Sequence, residues 1–402
     1  MTQFHEMLLD KNLLKTLEEL GYEKPTPIQE MAIPKVMDGL DLVASAQTGT
    51  GKTGAFLLPA IHMLSKLPQD RPRGARVLVL APTRELAMQI AKEADKFSKS
   101  FPQIKTVCIY GGVPYPQQRK ALSKPYDILV ATPGRLIDHM ERGLIHLSKL
   151  KMLVLDEADR MLDMGFIQPI ERIAAATPQT RQTLLFSATL DPKILRVSKK
   201  LQNNPYEIRI KVDSEAEANI EQRIFYTDNK NHKIKILEHL LESGGIEQAI
   251  LFIATKRDAD ELARQLQEKG LMADALHGDM NQRQRTRTMD ALRKGRIRYL
   301  IATDVAARGL DILTLTHVIN IDLPFRAEDY IHRIGRIGRA GAKGCAITFV
   351  SHRDRGVLSQ IQKQFSKPIT SHSIPGLEPK ERSSNQRKKK RNFGFHKNRA
   401  RR

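Results

Sequence analysis

Residues 46–53 read AQTGTGKT, and this octet constrains the fold more than any other stretch of the chain. Gly49, Thr50 and Gly51 are small enough for backbone N–H groups to turn inward around phosphate oxygens, which a row of bulky side chains would prevent. Lys52 then reaches the terminal phosphates, Thr53 offers a hydroxyl to Mg2+, and a helix from Thr53 onward aims its positive end at the anion. Such a loop needs a strand before it and a helix after it. Leu42-Val43-Ala44 supplies the first, and Ala55-Phe56-Leu57-Leu58 opens a helical pattern for the second. The strict pattern GxxxxGK[ST] fails at Ala46, so the reading depends on context.

That context is a βα alternation. Apolar runs at Val77–Leu80, Thr106–Ile109, Ile128–Val130, Met152–Leu155 and Thr183–Phe186 alternate with amphipathic stretches such as Glu85–Phe97 and Arg135–Glu141. This predicts an α/β fold, a parallel sheet with helices on both faces, whose active residues gather where strands end. Pro82-Thr83-Arg84, Gly111-Gly112, Thr132-Pro133-Gly134-Arg135, Asp156-Glu157-Ala158-Asp159 and Ser187-Ala188-Thr189 each follow an apolar run. The pattern breaks between about Asn203 and Asn219, then resumes through Ile250–Ile253, Asp258–Lys269, Tyr299–Ala302, Val318–Ile321 and Ala346–Val350, without a second phosphate loop. A chain of 402 residues exceeds what one core usually covers. We expect one domain over residues 1–208, a second over 219–368, and a basic tail over 369–402 with too little to bury to be ordered.

The formal charge of +21 calls for a polyanionic partner, nucleic acid ahead of an anionic membrane. From Lys380 to Arg402 there are eleven Lys and Arg against one acid, so about half the excess sits in the tail. Phe393 and Phe395 there either stack on bases or are stray aromatics in a solvated segment. Cys108 and Cys345 have no metal-ligand spacing and read as reduced core residues of a cytoplasmic protein. No apolar run has the length of a membrane span, and the N-terminus lacks a signal-peptide core.

Leu13, Leu14, Leu17 and Leu20 recur at helical spacing before Gly21, which reads as a packing helix. Pro25–Gln29, PTPIQ, reads as a rigid segment that its prolines keep from being helical. The Tyr22 ring can stack on a purine, and the Gln29 amide matches the donor and acceptor edge of adenine. Asp156 and Glu157 close an apolar strand, where a phosphate-loop ATPase needs one carboxylate for the metal and another for the attacking water. Arg333, Arg336 and Arg339 recur every third residue in HRIGRIGR, read as one side of a helix that carries cations to the phosphates from the second half.

Taken in order, these motifs resemble those of a DEAD-box ATP-dependent RNA helicase of superfamily 2. The likeness runs from Phe4 through GYEKPTPIQ, AQTGTGKT, PTREL, Gly111-Gly112, TPGR, DEAD, SAT, LFIAT, HGDMNQ with Arg285, TDVAARGLD and HRIGRIGR, over roughly residues 4–366. The resemblance implies two tandem RecA-like domains joined by a flexible linker, which close over ATP and single-stranded RNA and hydrolyse ATP when RNA is bound. It implies that Tyr22 and Gln29 meet adenine with Phe4 in support, and that Gln47, Thr48, Gly49, Thr50, Gly51, Lys52 and Thr53 hold phosphates and Mg2+. Gly309 and Asp311 fall to the nucleotide, Asp311 at the ribose. Asp156 serves the metal and Glu157 the water, with Arg336 and Arg339 as arginine fingers. Asp159, Ser187, Thr189 and His332 couple closure to hydrolysis. Pro82, Thr83, Arg84, Gly112, Thr132, Arg135, Gly278 and Thr303 contact RNA, chiefly its phosphate backbone, which implies binding without sequence preference.

Two positions depart from the family pattern: Ile337 stands where Thr is usual, and Leu292 where Phe is common, both expected to be local packing changes. The body and the GLEP run near Gly376 look most similar to the bacterial SrmB-type branch, which implies a role in ribosome assembly, with structured ribosomal RNA and ribosome-assembly proteins as partners; we expect a monomer. Two other readings share the apparatus. One is an RNA chaperone or assembly clamp locked by ATP with little unwinding; the other is a DNA translocase, since discrimination lies in contacts to 2′-hydroxyls.

Overall fold

Strands buried on both faces need uninterrupted aliphatic runs, and VLVL, ILVA and MLVL are such runs. The computed structural model describes residues 3–46, 49–68, 74–210, 220–307, 315–338, 343–363, 365 and 368–380. Its first sheet contains β1 (Leu42–Ser45), β2 (Val77–Leu80), β3 (Thr106–Ile109), β4 (Ile128–Ala131), β5 (Met152–Leu155), β6 (Gln182–Ser187) and β7 (Tyr206–Arg209). They lie in the order β3-β4-β2-β5-β6-β1-β7, all parallel. The second contains β8 (Ile220–Thr227), β9 (Ala249–Phe252), β10 (Ala273–Leu276), β11 (Tyr299–Ala302), β12 (His317–Asn320), β13 (Gly344–Ser351) and β14 (Thr370–His372). Its order is β10-β11-β9-β12-β13-β8-β14, again parallel throughout.

Each sheet separates two cores. Successive β2 residues face opposite sides, Val77 and Val79 into one cluster and Leu78 and Leu80 into the other. In the second sheet, Leu300 and Ala302 of β11 face one core while Tyr299 and Ile301 face the other. The α/β expectation is borne out twice over. Register then aligns the functional loops: Ser45 pairs with Ser187 and Leu155 with Leu185, so the segments after β1, β5 and β6 leave one edge of the first sheet.

Four local readings need correction. Pro25–Gln29 is only partly extended, because Pro27 occupies the first position of a helix, Pro27–Met37, where its missing N–H is not needed. Leu20 lies just past the helix Lys11–Glu19 and is exposed, whereas Leu13 and Leu17 are buried. HRIGRIGR is not one helix face, since the helix Ala327–Ile334 stops at Gly335, ahead of Arg336. Residues 369–380 are ordered rather than part of a disordered tail: β14 adds to β8, Ile369 and Ile374 are buried, and Leu377 packs on the core. Residues 381–402, with Phe393 and Phe395, lie outside the described residues.

Both cysteines are free, and burial pushes the Cys108 thiol up to about 12 and that of Cys345 to about 11. Among the described residues no helix is long and apolar enough to cross a membrane.

Candidate active site

The phosphate loop is seated on the start of the helix Pro27–Met37. Gly49 and Gly51 have φ of +86° and +92°, the left-handed region open to glycine. A Cβ on Gly51 would stand 2.6 Å from Thr26 Oγ1, and one on Gly54 would stand 2.6 Å from Gln29 Nε2. Gln29 is buried and bridges the two segments, Nε2 donating to Gly51 O at 3.0 Å while Oε1 accepts from Thr26 N–H at 3.0 Å. Lys52 and half-buried Thr53 begin the helix Lys52–Ser65. The Lys52 ammonium is buried and, among the described residues, has no hydrogen-bond partner, a condition that costs free energy until an anion arrives. Half-exposed Tyr22 sets its ring edge-on to Phe97, centroids 5.6 Å apart, and Phe4 is a core residue in the turn Phe4–Met7.

The carboxylates stand at the end of β5. Asp156 is buried, and burial pushes its carboxyl up to about 6, against the pull of Lys52. Glu157 has the left-handed backbone, φ 52° and ψ 50°, strain of a kind that collects at functional sites. Burial alone would push the Glu157 carboxyl up, but Arg160, Lys52 and Arg336 together outweigh it and hold Glu157 below the ordinary range. Arg160 Nη1 donates to Glu157 Oε2 at 3.0 Å, and Glu157 N–H donates to Asp156 Oδ1 at 3.0 Å. Thus one acid resists ionisation and its neighbour is held ionised.

Asp159 carries the arrangement onward. Burial pushes its carboxyl up, yet Oδ2 accepts from Ala188 N–H at 3.1 Å and lies 4.0 Å from His332 Nε2 of the second half. Ser187 is fully buried and its Oγ accepts from Thr189 N–H at 3.3 Å. Arg336 is buried and close enough to act on Glu157 electrostatically. Arg333 is committed elsewhere: it grips Asp304 with two bonds of 2.7 Å, donates to Asn320 Oδ1 and Asp322 O, and lies over the Phe252 ring. Ile337 is buried against Gly344, where an added Cβ would stand 2.8 Å from its own Cβ, and Leu292 is a core residue. Gln47, Thr48, Gly309, Asp311 and Arg339 lie outside the described residues.

A second cavity, of roughly 390 Å³, brings together Pro82, Thr83, Arg84, Thr132 and Arg135 of the first half with Gly278, Arg285 and Val305 of the second. Arg135 is held by bonds to Val113 O at 2.8 Å and Gln118 Oε1 at 3.0 Å, with the Tyr115 ring 4.5 Å away. Thr303 does not line it but accepts the Ala306 and Ala307 N–H groups, anchoring the turn that carries Val305. Gly112, φ +85°, lies directly beneath the Arg84 guanidinium. Gly112→Ala would strain that backbone and force the guanidinium aside. The expected result is RNA affinity about tenfold weaker, roughly 1.4 kcal/mol, with ATP affinity unchanged, read by fluorescence anisotropy for each ligand.

Sequence reasoning quoted Arg285 without a partner and missed Glu85 altogether. Arg285 Nε donates to Glu85 Oε1 at 2.7 Å, and its other nitrogens reach His277 O and Ala306 O at 3.2 Å. Arg326 likewise crosses to Asp163 at 2.6 Å, but both are partly exposed. No local signal pointed to Glu85, because an acid in the first turn of the helix Arg84–Phe97 is favoured there for its own sake.

A phosphate loop and paired acids at the ends of the first sheet's strands, met by an arginine and a histidine from the second half, define the class as a nucleoside triphosphatase. Residues 26–197 match the DEAD/DEAH box helicase family and residues 232–341 the helicase conserved C-terminal domain. The chain belongs to the DEAD/DEAH box helicase family, and it is an ATP-dependent RNA helicase, an RNA-stimulated ATPase built on tandem RecA-like domains. It is 42% identical over 381 residues to ATP-dependent RNA helicase SrmB of Haemophilus influenzae, spanning 94% of this chain and 87% of that one. It is 44% identical over 375 residues to ATP-dependent RNA helicase CshA of Listeria monocytogenes, 93% of this chain and 71% of the relative. Among solved structures, S. cerevisiae Dbp5 bound to RNA and ADP BeF3 matches with a TM-score of 0.83 at 34% identity, over 93% of this chain and 96% of that one. Mss116p bound to ssRNA and AMP-PNP matches with a TM-score of 0.83 at 29% identity, over 93% and 80%.

Proposed function

We propose that this helicase binds ATP between the phosphate loop and Arg336, binds a single RNA strand in the cavity under Arg84 and Arg135, and separates short duplexes by closing on both. The observation that carries the reading is the buried Lys52 ammonium, without a hydrogen-bond partner among the described residues, acting on Asp156 and Glu157, with Arg336 acting on Glu157 from the second half. Thr53 and Asp156 suit Mg2+, which commonly takes one or two protein oxygens plus substrate phosphates. When bound, the ion would neutralise charge on the phosphates.

The protein groups divide the work. Lys52 and the loop N–H groups hold the β and γ phosphates, and Arg336 offsets the charge that develops as the terminal phosphoryl group departs. Glu157, kept ionised by Arg160, orients the attacking water and accepts its proton. Asp159 links this event to the turn Ser187–Thr189 and to His332. Ligands that both favour closure must raise each other's affinity. Tyr22, Gln29, Phe4, Asp311 and Arg339 complete the nucleotide site in this reading, with domains over residues 1–208 and 219–380, the second extended to take in β14. On the SrmB-type resemblance we assign structured ribosomal RNA during ribosome assembly as the substrate, and a monomer as the active form.

Glu157→Gln tests the cycle. It keeps the shape of the site but removes the base, so RNA dissociation in the presence of ATP should slow by at least about tenfold. Release as fast as in the wild type would refute the role given to Glu157. Separation of a short duplex by the wild-type protein distinguishes a helicase from an ATP-locked clamp.

A further inference from the structure

The helix Gln282–Arg293 is charged against its own stability. Its first turn contains no acid, although the unsatisfied N–H groups there favour anions, and Arg283 and Arg285 stand in it instead. Arg283 and Arg287 are four apart, a like-charge spacing that weakens an exposed helix. Arg285 has its reason, since it turns inward to Glu85. Arg283, Arg287, Lys294 and Arg296 are exposed, and among the described residues none of the four has a carboxylate within ion-pair distance. They line a concave surface of roughly 450 Å³, whose one acid, Asp290, is engaged by Arg293 at 3.6 Å.

The chain runs from the cleft directly onto this surface. Gly278, Met280 and Arg285 line the RNA cavity, Gln282 and Arg283 come next to them in sequence in the concavity, and Arg283 and Arg287 stand on the side of the helix opposite Arg285. We propose that the outer face of the Gln282–Arg293 helix, continued by Lys294 and Arg296, is a second RNA-backbone surface that holds phosphates of the strand flanking the segment in the cleft. This rests on the reading of the cleft as an RNA site. Guanidinium and ammonium groups neutralise phosphates without reading bases. An acidic protein is the poorer fit, because the lining offers no aromatic or aliphatic anchor of the kind that dominates protein interfaces.

The test compares the full wild-type chain with R283Q/R287Q/K294Q/R296Q on two RNAs. One is the shortest single strand that stimulates the wild-type ATPase; the other is the same strand extended on both sides. Affinity of the variant for the extended strand should fall at least about tenfold, and the log-log salt slope should shrink by about 0.7 per lost phosphate contact, to a maximum of about 3. Stimulation by the short strand should be unchanged, and the thermal midpoint level or higher once like charges are gone. Equal affinity and slope on the extended strand overturn the proposal and favour an acidic protein ligand. An equal loss on the short strand overturns it too, because the face then belongs to the cleft. If no single strand stimulates the wild type, the reading of the cleft fails first. Should the fourfold variant not fold, R287Q alone should reduce the slope by about 0.7, and no reduction refutes the surface.

Discussion

Lys52→Ala is expected to remove measurable ATP hydrolysis, with or without RNA. The ammonium is the buried cation closest in role to the transferred phosphates, and among the described residues no hydrogen bond engages it. Deleting one such charge-stabilising donor costs about 10²–10³ in turnover, roughly 3–4 kcal/mol, and a full charge in a buried site belongs at the upper end. The same ammonium also draws down the carboxyls of Asp156, Glu157 and Asp159, so its loss pushes all three toward protonation. Phosphate release at saturating RNA measures the effect. Turnover within about tenfold of the wild type would show that some other group holds the terminal phosphates.

Arg336→Ala should lower turnover by about 10³-fold or more, the usual contribution of an arginine finger, while leaving ATP affinity within a few-fold. The residue follows the end of a helix rather than riding on it, and its charge already acts on Glu157 before any ligand is considered. Arg336→Lys should recover only part of the rate, because a point charge lacks the planar fork that meets two phosphoryl oxygens at once. Single-turnover hydrolysis with RNA bound separates this from a binding defect. Unchanged single-turnover rates in Arg336→Ala would remove the second half from the chemistry.

Much of this was legible before any coordinates. Val77–Leu80, Met152–Leu155 and Tyr299–Ala302 were readable to their true ends, because burial on both faces leaves nothing polar inside the run, and so was Thr106–Ile109, an edge strand that buries only Val107 and Ile109. Ala273–Leu276 was not, since Asp274 breaks the run and is tolerated only by bonds from Thr288 Oγ1 and Ala275 N–H. Tyr206–Arg209 and Thr370–His372 are edge strands with mostly exposed side chains, so they lack a hydrophobic signature. Proline misled at Pro27, where a helix start uses it. The loop and the acids could be found from motif and position. The pairing of Glu85 with Arg285 could not, because partners two hundred residues apart leave no local period.

The contacts between the halves include Arg285 on Glu85 beside the RNA cavity and His332 near Asp159 beside the acids, so the cleft has an RNA side and a nucleotide side. In the proposed cycle one ligand draws in only its own side, and neither alone brings every group to register. The molecule is then a coincidence detector: in a cell where ATP is plentiful, it idles until a strand arrives, and its fuel consumption follows the supply of RNA.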